Sequence, residues 1–158
     1  MIVVADSGPL HYLGLLGETD LLRRLYGGIW IPPAVVAELS AAATPVVLTD
    51  WIANPPKWVR FEAVIDRDDP IFQGTLDRGE SETVALATAI HAGLVLLDDL
   101  AARREAERRG LRVTGTLGIL RTAAELDLII VTDTVARLQA TNFYFDEDLV
   151  RSIFGKWL

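Results

Sequence analysis

The run from Gly79 to Gly110, GESETVALATAIHAGLVLLDDLAARREAERRG, restricts the possible folds more than any other part of this chain. It reads as helix, buried strand, helix. Two carboxylates, Glu80 and Glu82, open the first helix, and VALATAIHA continues it with mostly apolar residues. Gly93 then reads as the left-handed glycine that ends many helices. LVLL is short and wholly apolar, the pattern of a parallel strand covered on both faces. Asp98 and Asp99 stand together where that strand ends. A strand buried on both sides and followed at once by a helix belongs to an α/β sheet, in which ligands gather at the carboxyl ends of strands.

The rest of the chain repeats this alternation. Ile2 to Ala5 is a short apolar strand, and Asp6-Ser7-Gly8-Pro9 turns into a helix with Leu10, Leu13 and Leu16 on its apolar face. Asp6 can serve as a helix cap, but it also ends the first buried strand. Gly17 closes this helix, and Thr19-Asp20 reads as the cap of a second one. Gly28 to Ile31 is a second strand, followed by Pro32-Pro33 and a helix through AVVAELSAAA. Glu38 is the only ionisable residue between Trp30 and Asp50. At helical spacing it shares a stripe with Ala34, Val35, Ala41 and Ala42, where a carboxylate is costly unless paired, ligated or solvated.

Asp50 to Pro70 reads as irregular surface elaboration, with Trp58 to Val64 as an edge strand. After Asp99 comes a strongly charged helix that presents a solvated face, with Glu105 and Arg109 forming an i,i+4 pair and Gly110 ending it. Arg103 lies about one turn from the paired acids. Leu111 to Val113 is a further strand, and Thr114-Gly115-Thr116 leads into the next helix, with Thr114 or Thr116 as its cap. A hydroxyl and the helix N-terminus could also face the crevice, ready for a phosphate or a metal-bound water. Residues 131–158 form a helical C-terminal extension that packs on the domain or on a dimer partner. The expected architecture is one domain spanning residues 1–158, a three-layer α/β/α fold around a central, mainly parallel sheet.

Composition narrows the chemistry. The chain has no cysteine, which removes thiolate metal sites, and two histidines, His11 and His91, are too few for most imidazole sites. A metal here would be held by oxygen, which suits Mg²⁺ or Mn²⁺. A net charge of −7 argues against broad non-specific nucleic-acid binding but allows a local basic patch beside an acidic cleft. MIVVADSG is no signal peptide, and no apolar run approaches the ~18 residues of a membrane span. A cytoplasmic protein with no membrane partner is the expectation.

Asp6, Glu38, Glu82 and Asp98 or Asp99 come from separate elements, as a cleft built at strand ends requires. Carboxylates gathered in one place repel unless protonated or bridged by cations. One or two divalent ions would relieve that repulsion, recruit a phosphodiester and activate a water to attack phosphorus.

These residues resemble the PIN-domain ribonucleases, the fold of VapC-type toxins of toxin–antitoxin pairs. The resemblance is carried by VADSGPL, IPPAVVAEL, GESETVALA, LVLLDD followed by AAR, and VTGTLGIL, in that order, over residues 1 to about 130. It implies a Mg²⁺- or Mn²⁺-dependent endoribonuclease with Asp6, Glu38 and Glu82 as three dispersed metal-binding acids and Ser7 as the hydroxyl after the first. It also implies an RNA substrate, a cognate antitoxin partner and a homodimer. The commoner toxins place a threonine two residues before an aspartate after the last core strand. Here Leu100 holds that aspartate's place, so the fourth acid is shifted to Asp98 or Asp99.

Between the two glutamates of GESE, helical geometry separates the side chains by about 200°. The stripe that Glu82 shares with Ala85, Leu86 and Ala89 selects it as the site acid. Glu80 then becomes a capping or supporting acid that holds Arg103 or a metal-bound water. Two other functions compete with the nuclease. One is a non-catalytic partner-binding module that keeps the fold. The other is a receiver-like phosphoacceptor domain, which normally needs a lysine at a later strand end. Lys57 and Lys156, the only lysines, follow no core strand.

Overall fold

The computed structural model describes residues 1–158. Its strands are β1 (Val3–Ala5), β2 (Ile29–Ile31), β3 (Val59–Phe61), β4 (Leu94–Leu96) and β5 (Val113–Thr114). They form one sheet in the order β3-β2-β1-β4-β5, and every neighbouring pair is parallel. The helices are α1 (Ser7–Leu15), α2 (Asp20–Tyr26), α3 (Pro33–Leu39), α4 (Val46–Ala53), α5 (Arg78–Ala89), α6 (Leu100–Arg108), α7 (Thr116–Glu125), α8 (Val131–Gln139) and α9 (Glu147–Phe154). No helix is long and apolar enough to cross a membrane.

Side-chain alternation along the strands divides the interior in two. Val3 and Ala5 point to one face with Ile29, Ile31 and Leu96, and that face is covered by α1, α2, α3, α4 and α7. Val4, Val95 and Leu97 point to the other, covered by Val84 to Ala87 of α5 and by Ala102 and Ala106 of α6. This is the three-layer α/β/α arrangement. Chain order reverses between β1 and β4, so the crevice of the sheet lies beyond the ends of these two strands, where Asp6 and Asp98 sit.

Three local readings change. The helix expected through AVVAELSAAA ends at Leu39, and a second helix, α4, follows in a stretch that carried no helix signal. Pro45 cannot continue a helix and pushes Thr44 toward extended geometry. The Thr44 hydroxyl then donates to the Glu38 carbonyl at 2.9 Å, satisfying the end of α3. Gly93 is not the left-handed residue after α5. His91 is, at φ 52°, and Gly93 instead lies against Met1, where a side chain would collide. Finally, Thr19 makes no side-chain capping bond to α2.

The C-terminal helices belong to the larger apolar cluster. Val131, Val135, Leu138, Val150 and Phe154 pack in it together with Leu10, Leu13 and Ile119. Phe143 meets the Tyr12 ring edge-to-face at 4.7 Å, and the Tyr12 hydroxyl donates to Asn142 Oδ1 at 3.0 Å. Phe154 is 1 % exposed, so Phe154→Ala is expected to cost about 3–5 kcal/mol of stability in denaturant unfolding. A loss under about 1 kcal/mol would mean that the tail is not part of the folding unit.

Candidate metal centre

Asp6 is the residue after β1, and its backbone N–H donates to the Leu96 carbonyl of β4, which ties it to the switch point. Its carboxyl is buried at 6 % exposure. Burial, chiefly, pushes its pKa up to about 7, and the charges of Glu38, Asp77 and Glu80 push the same way. The backbone N–H of Ser7 works against them. Next in the chain, the Ser7 hydroxyl donates to Glu38 Oε2 at 2.6 Å. Glu38 lies on the exposed side of α3, so the apolar stripe does not bury it.

The start of α5 brings these groups together. Asp77 and Glu80 form a capping box: Asp77 Oδ1 accepts the Glu80 N–H at 2.8 Å, and Glu80 Oε2 accepts the Asp77 N–H at 3.2 Å. Gly79, between them, is buried where α5 crosses the two acids. A Cβ at Gly79 would fall within bonding distance of Glu38 Oε1 and 3.4 Å from Asp6 Oδ1. One point at the helix surface therefore touches both carboxylates, and only glycine leaves it open. One turn on, the fully buried Thr83 hydroxyl donates to the Gly79 carbonyl at 2.8 Å and lies 3.4 Å from Asp6 Oδ1.

The two glutamates of GESE go to opposite sides of α5, as their helical separation requires. Glu80 is half-buried, and its pKa is pushed up to about 7 by burial, then by Asp77 and Asp99. It is the glutamate that shares the acidic side with Asp6. Glu82 is 1 % exposed and faces away: Oε1 accepts the Ala34 N–H at the start of α3 at 2.9 Å. Its Oε2 is reached by Arg67 Nη1 at 3.3 Å and Arg78 Nε at 3.4 Å. The small stripe at Ala85, Leu86 and Ala89 does lie on the sheet, but in the first turn that direction leads to α3 rather than to the strand ends.

Asp98 and Asp99 take different partners. Thr116 donates its N–H to Asp98 Oδ1 and its hydroxyl to Asp98 Oδ2, both at 2.7 Å. Burial raises the Asp98 pKa, while Thr116 and the Arg103 charge hold it down. Gly115 makes room for this: a Cβ there would sit 2.6 Å from Asp98 Oδ1 and 2.8 Å from Arg103 Nη1. Asp99 caps α6, its Oδ2 accepting the Ala102 N–H at 2.9 Å. Neither expected threonine caps α7, whose cap is Gly115. Thr116 binds Asp98, and Thr114 packs its hydroxyl against Gly118. The expected Glu80–Arg103 contact is absent, because Arg103 lies with Asp98.

Asp77, Gly79 and Thr83 join the site without a strong signal in the sequence. The capping-box spacing from Asp77 to Glu80 was the one available signal, and it would have moved the helix start back to Arg78. Gly79 and Thr83 act through a helix crossing that no local pattern encodes.

A cavity of about 650 Å³ lies elsewhere, between the 3-10 turn Pro70–Gln73, α5 and α6. Its central charges are matched to each other. Arg109 binds Asp69 through two nitrogens at 2.7 and 2.8 Å, Glu105 at 2.9 Å and Thr88 at 3.1 Å. Its place and pairing make it a structural joint between α5, α6 and the preceding loop.

A family model described as a PIN domain matches residues 2–157. The chain belongs to the PIN-domain family. PIN domains are in general nucleases and typically use divalent metals. No curated protein matches this chain. In this PIN domain the donors around the crevice are carboxylates and hydroxyls, the hard oxygen set that Mg²⁺ and Mn²⁺ prefer. No three of the acids converge closely enough to hold one ion together.

The two glutamates can be separated by experiment. Glu80→Gln is expected to weaken Mn²⁺ binding in calorimetry at least tenfold while the variant stays folded. Glu82→Gln is expected to leave metal affinity within about threefold of the parent but to cost about 1–3 kcal/mol of stability, reduced by the exposure of both arginines. The opposite pattern would place Glu82, and not Glu80, at the metal.

Proposed function

We propose that this PIN domain is a metal-dependent endoribonuclease, the toxin of a toxin–antitoxin pair. One observation carries the nuclease reading: Asp6, buried at the end of β1 with a pKa near 7, meets Glu38 across Gly79 at the switch point of a parallel sheet. Asp6 and Glu38 are the proposed metal-holding carboxylates, with Glu80, Asp99 and Asp98 around them. A divalent cation, when bound, supplies Lewis acidity to the phosphodiester and lowers the pKa of water.

The chain's own groups do the rest. Ser7 fixes the Glu38 carboxylate, and Thr83 lies against Asp6. Glu80 shares the acidic side with Asp6 and adds a third carboxylate beside the cation, where the attacking water gives up its proton to solvent. That water's oxygen bonds to phosphorus as the bond to one ester oxygen breaks, and the departing oxygen takes up a proton. Thr116 holds Asp98 in one orientation beside the α1 start, with the Arg103 charge nearby.

The toxin role, the antitoxin partner and a homodimer in the cytoplasm extend this reading and rest on the family's order of motifs. The test is cleavage of a mixed-sequence RNA and of single-stranded DNA by the purified protein with Mn²⁺, Mg²⁺ or EDTA. Metal-dependent RNA cleavage supports the reading. No cleavage of either polymer with any metal, by a protein that binds a neighbouring gene product, would establish the non-catalytic binding module instead.

A further inference from the structure

On the far side of α5 from Asp6, Glu82 is a buried carboxylate that ends in two arginines at the surface. Its side chain is 2 % exposed, while those of Arg78 and Arg67 are 78 % and 51 % exposed. Arg78 contributes only Nε to Glu82, so its two Nη groups remain free toward solvent. Arg67 contributes Nη1, and its guanidinium carbon lies 4.2 Å from the centre of the Phe72 ring. One anion thus orients two cations and leaves a net positive charge at the surface.

One of the two arginines, Arg78, borders the acids. Arg78 precedes Gly79, the residue lodged between Glu38 and Asp6. A cleft of about 380 Å³ joins the two groups, lined by Pro33, Ala34, Ala37, Glu38 and Arg78. The acidic residues of the Arg67 loop, Asp66, Asp68 and Asp69, line the other cavity with Arg108 and Arg109. Arg60 is turned aside to Glu62, at 3.0 Å, and to the face of Trp30.

We infer that Arg78 and Arg67 form a phosphate clamp for the RNA strand, held in place by Glu82, which receives the backbone next to the bond being cut. This rests on the ribonuclease reading above. Guanidinium forks match phosphate oxygens, and a fork already fixed by a buried carboxylate and an aromatic face loses little freedom on binding. The clamp also explains how a chain of net charge −7 draws a polyanion to a carboxylate-lined crevice. Glu82 is then a positioning residue that acts through the two arginines.

The test uses the full chain and a fluorescein-labelled oligouridine in EDTA, so that no bond is cut, with binding followed by anisotropy across a salt series. Arg78→Ala and Arg67→Ala are each expected to weaken binding and to lower the slope of log K against log salt by about 0.7, the contribution of one phosphate contact on single-stranded RNA. Arg151→Ala makes the same change in net charge on distant α9 and is expected to leave the slope unchanged. In Mn²⁺ cleavage the two clamp variants raise KM several-fold with little loss of kcat, and Arg78→Lys recovers part of the affinity. A salt bridge of structural value only would lower the melting temperature and leave slope and KM unmoved, which overturns the clamp. If the parent protein neither binds nor cuts RNA, the ribonuclease reading itself falls, and the clamp with it.

Discussion

Asp6→Asn is expected to abolish metal-dependent RNA cleavage, by on the order of a hundredfold or more, while the protein stays folded. The amide keeps the size of the carboxyl and an oxygen for the Ser7 N–H and Thr83 hydroxyl, but it loses the charge that meets a cation. Because Asp6 is buried beside Glu38 and Glu80, removing its charge also relieves repulsion in the metal-free protein. The variant should therefore melt no lower than the parent in EDTA near neutral pH and above. An inactive variant that melts at or above the parent temperature separates loss of chemistry from loss of fold. Full cleavage by a folded Asp6→Asn protein would falsify the assignment of Asp6 to the site.

The second large effect is a coupled dependence on pH and metal. Without metal, Asp6 and Glu80 each have a pKa of about 7, against ordinary values of 3.8 and 4.5. Between about pH 4 and pH 7 the folded chain therefore holds protons that the unfolded chain releases, and stability falls as pH rises through that window. Asp69 and Glu105 are shifted the other way by Arg109 and Arg108, so their contribution is lost only in more acidic solution, below the ordinary carboxylate range. His11, held below 6.5 by burial, opposes the trend, as a single half-exposed group. The EDTA-treated protein should thus melt lower at about pH 8 than at about pH 5.

Mn²⁺ should reverse that difference. An ion that binds only the native state adds about 2.7 kcal/mol at a hundredfold excess over its dissociation constant, roughly 5–10 °C for a chain of this size. The gain belongs to about pH 8, where Asp6 and Glu80 are ionised, and should shrink to a degree or so near pH 5, where protons compete with the ion. An equal Mn²⁺ effect at both pH values would show that the ion binds elsewhere. Flat melting temperatures in EDTA would show that the two acids are not buried together.

Much of this protein could be read from local pattern. LVLL and IVVA are apolar without alternation because each is a central strand with helices over both faces, and burial on two sides leaves no position for polar residues. Asp6 and Asp98 could be placed at strand ends because a parallel sheet puts every such end at one edge. Glu38 stood out because it was the lone charge in a long apolar stretch. These are properties of a strand or helix in its own frame, and hydrophobic periodicity records them directly.

The crossings between elements, by contrast, are set in three dimensions. The rotation of α5 about its axis sends Glu80 to Asp6 and Glu82 to Arg67 and Arg78. That rotation is set by the packing of α5 against both the sheet and α3, with Gly79 and the Ala34 N–H as the contacts. The stripe of small residues showed which side of α5 meets the sheet. It could not show that the first turn, projecting past the strand ends, meets α3 instead. The break between α3 and α4, the left-handed turn at His91 rather than Gly93, and the capture of Asp98 by Thr116 follow the same logic. Each depends on which atoms from distant parts of the chain arrive at one point, a free energy shared between elements that neither sequence segment carries alone.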